Sequence, residues 1–182
     1  MVAVTGTGAA QRTWQYRGTD WVDITVGSPT SYTPVLTAAS TNPVLGAGAV
    51  QSGRFIQVGK LVTYWFQITF GTTGQAAGSG IYSIALPAAA VAPITQGIAA
   101  GAIRLYDSST GNVHIGARAA VNSTTTLGIQ YSAAGIIANV GNAAPWVWAA
   151  GDIIDGFITY EAAWPVTPRG TSHSCTLRRP PG

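Results

Sequence analysis

The run Gly53–Pro87 reads GRFIQVGKLVTYWFQITFGTTGQAAGSGIYSIALP. Within it Val62, Tyr64, Phe66, Ile68 and Phe70 are apolar at every second position, separated by Thr63, Trp65, Gln67 and Thr69. Successive side chains of a strand point to opposite faces, so this pattern predicts a β-strand with one apolar face and one mixed face. Arg54–Val58, closed by Gly59, predicts a shorter strand before it. After a loop of Gly, Thr, Ala, Ser and Gln from Gly71 to Gly80, the alternation resumes at Tyr82, Ile84 and Leu86. Three strands joined by short or glycine-rich turns predict an antiparallel meander, with the Lys60–Phe70 strand central.

Outward from this stretch the pattern repeats. Tyr32–Thr37 predicts a short strand that Pro34 confines to an edge or an irregular entry. Ala102–Tyr106 places Ile103 and Leu105 on one face, and Asp107–Asn112 is a polar hairpin connection. Val113, Ile115, Ala117 and Ala119 are expected to point inward, which would leave His114 and Arg118 on the other face. Leu127, Ile129 and Tyr131 alternate in Thr124–Tyr131. In Ile153–Glu161, Ile154, Gly156, Ile158 and Tyr160 oppose Asp155, Phe157, Thr159 and Glu161. Ser132–Ala150 has no period, although Trp146 and Trp148 would share a strand face. Leu86–Pro93 is an alanine run between prolines, too short for more than one helical turn. Eight to ten short strands without a helix predict an all-β fold, an antiparallel β-sandwich of jelly-roll type, over residues 21–163, with Trp21–Thr25 as its first strand.

Two flanking segments read as extended arms. Residues 1–20 carry Trp14, Tyr16 and Arg17 without a clear period, and aromatic rings of this size are costly to leave in water. Residues 164–182 (WPVTPRGTSHSCTLRRPPG) are proline-rich and aperiodic. Trp14, Tyr16, Arg17, Trp164, Arg178 and Arg179 are therefore candidates for contacts with neighbouring subunits.

Composition points the same way. The chain has 182 residues, enough for one ordinary domain, but charged residues are only 8% of it against roughly 25% in typical soluble proteins. Either its surface is made of Ser, Thr, Gly and Ala, or much of it is covered by copies and partners. The six Trp and seven Tyr favour the second. The net charge of +3 is spread thinly, which argues against nucleic acid as a partner. No run reaches the roughly 18 apolar residues of a membrane helix, and Met1–Gln11 does not read as a secretory signal. Val4-Thr5-Gly6-Thr7-Gly8 suggests a dinucleotide-binding turn, but Gln11 stands at the third glycine position and no amphipathic helix follows. No cofactor is expected.

Reactive groups are scarce. The chain has six carboxylates; Asp155 and Glu161 lie about 20 Å apart along one strand face, too far to act across one glycosidic bond. Asp20 with Asp23, or Asp152 with Asp155, would suit a hard cation only if loop oxygens joined them, and turn roles are commoner, so no metal is expected. His114 has no evident nucleophile or acid beside it. His173 and the lone Cys175 lie in the C-terminal arm, where no disulfide and no zinc pattern is available. Trp65, Trp146 and Trp148 are candidates for stacking on a sugar ring, each equally explicable as packing.

Several turn and strand-edge residues carry a resemblance. Tyr32-Thr33-Pro34, Asn42-Pro43 through Gly46 and Gly48, Gly53-Arg54-Phe55, Val58-Gly59-Lys60 with Val62, Thr72-Thr73-Gly74, Gly78-Ser79-Gly80-Ile81-Tyr82, Leu86-Pro87 and Ile158–Ala163 resemble small β-rich virion proteins of tailed phages, especially those of actinobacterial hosts. The likeness spans roughly Trp21 to Ala163. It implies a structural, non-enzymatic protein made in the host bacterial cytoplasm and assembled into the virion. A minor tail or tail-fibre component is favoured, with capsid decoration or a minor capsid role as the alternative. The expected partners are copies of itself, as a homotrimer, and other virion proteins. An alternative of another class is a receptor-binding module for host cell-wall glycans.

Overall fold

The computed structural model describes residues 1–6, 12–19, 21–24, 28–91 and 99–163. All regular structure among them is antiparallel β, and no helix is present. Thirteen strands form two sheets.

The larger sheet has ten strands: β4 (Thr30–Tyr32), β5 (Leu36–Ala38), β6 (Val50–Val58), β7 (Leu61–Thr69), β8 (Tyr82–Ala85), β9 (Ala99–Tyr106), β10 (Val113–Val121), β11 (Thr126–Ala133), β12 (Ile136–Asn139) and β13 (Ile153–Glu161). Its order is β4-β6-β7-β13-β9-β10-β11-β8-β5, with β12 paired to β11 beside β8. The two outermost strands, β4 and β5, are consecutive in the chain and separated only by Thr33-Pro34-Val35. Three residues reach at most about 11 Å, so the two edges of the sheet must meet, and the sheet curls. Contacts at the seam bear this out. The Pro34 carbonyl accepts from Gln51 Nε2 at 2.6 Å, the Val35 carbonyl accepts from Ala85 N–H at 3.0 Å, and the Tyr32 hydroxyl donates to the Leu86 carbonyl at 3.3 Å. Pro34, which cannot donate to a ladder, marks where the chain leaves one edge for the other.

Curling turns one face of every long strand toward a single core. Val62, Tyr64, Phe66, Ile68 and Phe70 are all buried, as the alternation predicts, and they share one core with Ile154 and Ile158 of the neighbouring β13 and with Ile103, Leu105, Leu127 and Ile129. Strand β13 is the hinge of this arrangement: it pairs along its whole length with β7 and on its other side with β9. Gly101 and Gly156 lie in these ladders where a Cβ would collide with the carbonyls of Phe157 and Ala102 respectively.

Three expectations need correction. β6 and β7 form the predicted hairpin, but β8 does not continue a meander: it pairs with β11 and β5. The Gly71–Gly80 loop carries the chain across, held against Thr41–Ala47 by bridges Thr41–Ser79, Val44–Ala76 and Ala47–Thr73. Gly46, at φ +83°, packs so closely that a Cβ would lie 2.7 Å from the Thr73 carbonyl oxygen. The two glycine-rich motifs are thus two sides of one loop pair. Second, Val113 and Ile115 do not face inward. Ala117 pairs with Ile103 and His114 with Leu105, so three residues span what an unbroken strand covers in an even number, and the bulge at Gly116 (φ +103°) reverses the phase. His114 therefore turns inward, while Ile115 is 88% exposed. Third, Trp21 does not open the main sheet. Trp21–Asp23 (β3) pairs with Arg12–Tyr16 (β2), which pairs with Val2–Thr5 (β1), in a separate three-stranded sheet. The region expected as an extended arm is, over its described residues, this small meander. The expected C-terminal arm, 164–182, lies outside the described residues.

Candidate functional site

Two surfaces gather the aromatic residues that the sequence singles out. The first is the small sheet. Trp14 and Tyr16 alternate onto one face of β2, and Trp21 stands opposite Tyr16 in register, with ring centroids 5.4 Å apart. The Trp14 indole donates to Thr5 Oγ1 at 3.1 Å, and the Tyr16 hydroxyl donates to the Gly18 carbonyl at 2.7 Å. None of the small sheet's described side chains is buried; Val2 is 60%, Val4 54% and Trp21 44% exposed. Arg17, beside these aromatics, is exposed as well. Trp164, Arg178 and Arg179, with His173 and Cys175, lie outside the described residues.

The second is the outer face of the main sheet. Trp65 occupies the mixed face of β7, so it points away from the core. Its register partners are Arg54 on β6 and Phe157 on β13. The Arg54 guanidinium carbon lies 5.9 Å from the Trp65 ring centroid, a cation–π contact at an open surface. The register continues without interruption: Phe157 opposes Ala102 on β9, Ala102 opposes Arg118 on β10, Arg118 opposes Gln130 on β11, and Gln130 opposes Asn139 on β12. One row of seven residues thus crosses seven strands, about 29 Å measured along the curl of the sheet, so its two ends face different sides of the molecule. Its polar end is ordered: Arg118 Nε donates to Gln130 Oε1 at 2.9 Å, and Gln130 Nε2 donates to Asn139 Oδ1 at 3.1 Å. Trp65 and Phe157 stay 36% and 44% exposed.

The acidic groups flanking this row are already engaged. Asp155 accepts both Nε (3.0 Å) and a terminal nitrogen (2.5 Å) of Arg104, whose guanidinium is held more firmly protonated by that carboxylate; Glu161 meets Lys60 Nζ at 3.1 Å. Among the described residues, neither Arg54 nor Arg118 meets a carboxylate.

The other tryptophans are elsewhere. Trp148 is core: it stacks on Phe70 at 5.6 Å, contacts Tyr82, and donates its indole N–H to the Gly141 carbonyl at 2.9 Å. Trp146 is half-buried against Trp148 on one side and stacked on His114 at 5.5 Å on the other, with Tyr131 edge-on to the same imidazole. The two tryptophans share no strand; of the three candidates Trp148 is buried, Trp146 is half-buried, and Trp65 is 36% exposed with the Arg54 guanidinium over its ring.

The remaining acids are structural. Asp152 is fully buried and accepts from Ser108 N–H, Ser108 Oγ and Ala149 N–H, while Asp155 lies on the outer face with Arg104, so the two do not form a cation clamp. Asp107 accepts from the backbone and hydroxyl groups of Ser109 and Thr110, which hold its carboxyl below the usual range. Asp20 lies outside the described residues, so the Asp20–Asp23 pair does too. Among the described residues no three His, Cys, Asp or Glu side chains converge to hold a metal ion. No helix among them is long and apolar enough to cross a membrane. A shallow depression of about 240 Å3 at the seam is lined by Ser31, Tyr32, Thr33, Gln51, Ser52 and Gly53, an array of hydroxyls and amides without an acid or base poised near neutral pH.

Sequence reasoning placed Phe157 on the outward side of β13 but did not join it to Trp65, Arg54 and Arg118, because which strands pair, and in what register, is carried by tertiary structure. Comparison with protein-family models, curated proteins and solved structures finds no match.

Proposed function

We propose that this chain is a non-enzymatic structural protein of a tailed-phage virion, made in the bacterial cytoplasm and completed by association with copies of itself and with other virion proteins. The observation that carries the association is the small sheet. A three-stranded sheet needs a buried apolar face to be stable, and this one presents Trp14, Tyr16 and Trp21 on one side and Val2 and Val4 on the other with nothing described as buried. A neighbouring subunit laid on that face supplies what the sheet lacks. The 8% content of charged residues supports the same reading, since a surface so poor in charge suits a particle-bound protein.

The virion assignment rests on the resemblance of the Tyr32–Pro87 motifs. Within it, the curled sheet is read as a jelly-roll-like sandwich whose two walls are the β4-β6-β7-β13 and β9-β10-β11-β8-β5 halves, with the small sheet and the residues after Ala163 as docking arms. The assembly is expected to be a trimer. A minor tail or fibre position is favoured over capsid decoration because it is the more usual role of the proteins resembled. Light scattering of the purified full chain tests the association: a trimer is expected, and a stable monomer at high micromolar concentration overturns it. Labelling the protein in intact particles separates tail from head, and its absence from particles overturns the virion reading.

A further inference from the structure

We propose that the outer face of β6, β7 and β13 is the seat of a neighbouring copy's small sheet. This rests on the association reading and names the surface that meets Trp14, Tyr16 and Trp21. The three strands are nine residues each and pair without a shift, β6 with β7 and β7 with β13, so their outward side chains form a regular grid on one wall. One row of that grid is Val58, Leu61 and Glu161, the next is Ile56, Thr63 and Thr159, and the third is Arg54, Trp65 and Phe157. The three rows cover about 10 Å across the strands and about 14 Å along them. Leu61 is 56%, Phe157 44% and Trp65 36% exposed. The polar members answer one another: Thr63 Oγ1 lies 3.1 Å from Thr159 Oγ1, and Glu161 meets Lys60. The Arg54 guanidinium, laid over Trp65 and meeting no carboxylate among the described residues, adds a planar surface on which a further ring can stack. A flat, largely apolar patch of this kind suits sheet-on-sheet packing rather than a small ligand.

Size and tether select the occupant. The small sheet is three strands wide like the wall, and its aromatic face sets Tyr16 beside Trp21 with Trp14 two residues along β2. Thr30 follows Ile24 by six residues, at most about 21 Å of chain, so the small sheet stays near β4, which pairs with β6 at the border of the wall. Each copy thus carries the sheet it gives and the wall it offers on one flank. Within a single chain both are bare: Trp21 on the small sheet is 44% exposed, as is Phe157 on the wall. A copy that gives its small sheet to one neighbour and receives one from another covers both faces, and such a head-to-tail contact closes into a ring, as a trimer requires. Two walls laid face to face would instead leave both small sheets uncovered. A nucleic-acid strand needs a run of cations, which rows dominated by Leu61, Trp65 and Phe157 do not supply.

Sedimentation velocity of the full chain, alone and in mixtures, tests it. Phe157→Ser on the wall should weaken self-association about tenfold or more, the same loss expected of Trp21→Ser on the small sheet. Mixing gives the sharper readout. Trp21→Ser keeps an intact wall and Phe157→Ser an intact small sheet, so at high micromolar concentration the two together should form a heterodimer that neither forms by itself. Ile137→Ser, on β12 away from the wall and 54% exposed in the parent chain, should change nothing. Circular dichroism confirms the fold of each variant, and Leu61→Ser replaces Phe157→Ser should the latter fail to fold. If the parent chain associates and Trp21→Ser dissociates it while Phe157→Ser and Leu61→Ser do not, this inference is overturned and the association reading stands; a monomeric parent chain overturns both. A mixture that stays monomeric, or a loss on Ile137→Ser equal to that on Phe157→Ser, also overturns the seat proposed for the small sheet.

Discussion

The two sheets are built by the same alternation of apolar and polar residues, yet one is finished and the other is not. In the ten-stranded sheet the inward residues of β7, β9, β11 and β13 are buried against one another because enough strands are present for the sheet to curl until its edges meet. In the three-stranded sheet the same device brings Trp14, Tyr16 and Trp21 to one face and stops there. Alternation chooses a face; only strand number and curvature supply something to cover it. The small sheet therefore carries the unsatisfied part of the hydrophobic driving force, and the large sheet the stability.

The largest effect that would sharpen this contrast is expected at Gly101. Valine there would drive its Cβ into the Phe157 carbonyl and part β9 from β13, so Gly101→Val should abolish soluble, folded protein, read by yield and far-ultraviolet circular dichroism. Next, Ile158→Ala in the core should cost about 2–5 kcal/mol in denaturant unfolding. Val4→Ala in the small sheet should stay within about 0.5 kcal/mol for the unassociated chain. Trp21→Ser, by contrast, should leave unfolding of the main sheet unchanged and weaken self-association at least tenfold by sedimentation; if it unfolds the main sheet instead, the two are one cooperative unit and the contrast fails.

A smaller difference lies inside the core. Tyr64 and Tyr82 are both fully buried, and burial raises both phenol pKa values. The Tyr82 hydroxyl donates to the Ala77 carbonyl at 2.5 Å, whereas the Tyr64 hydroxyl is buried without a hydrogen-bond partner among the described residues. Tyr82→Phe should cost about 1 kcal/mol in unfolding free energy, and Tyr64→Phe should be neutral or slightly stabilising. The smallest effect is pH-dependent. Hydrogen bonds from Ser109 and Thr110 lower the Asp107 pKa in the folded chain, so its contribution is complete above the unfolded carboxylate value of about 4 and is lost as pH falls through the lower folded value. Asp107→Asn should flatten the thermal unfolding midpoint against pH below about 4, relative to the parent chain.

The inward row of β7 was legible from sequence because its nine residues obey one period without interruption, and the same holds for Ile154, Ile158 and Tyr160. The β10 row was misread at its start because a single bulge at Gly116 inverts every side chain on one side of it, and a glycine in a strand does not announce whether it bulges. The departure of β8 from the meander was hidden for another reason: the Gly71–Gly80 loop is long enough to return to β7 or to carry the chain across to β11, and only its pairing with Thr41–Ala47 decides. The outer-face row combines residues up to 103 positions apart in the chain, from Arg54 to Phe157, and no local pattern could assemble it.

The three residues Thr33-Pro34-Val35 tether both margins of the main sheet to one short span of chain. Neither margin can peel away without pulling on the other, so fraying, the ordinary first step by which an open sheet recruits a foreign strand, is held back at both ends by one staple.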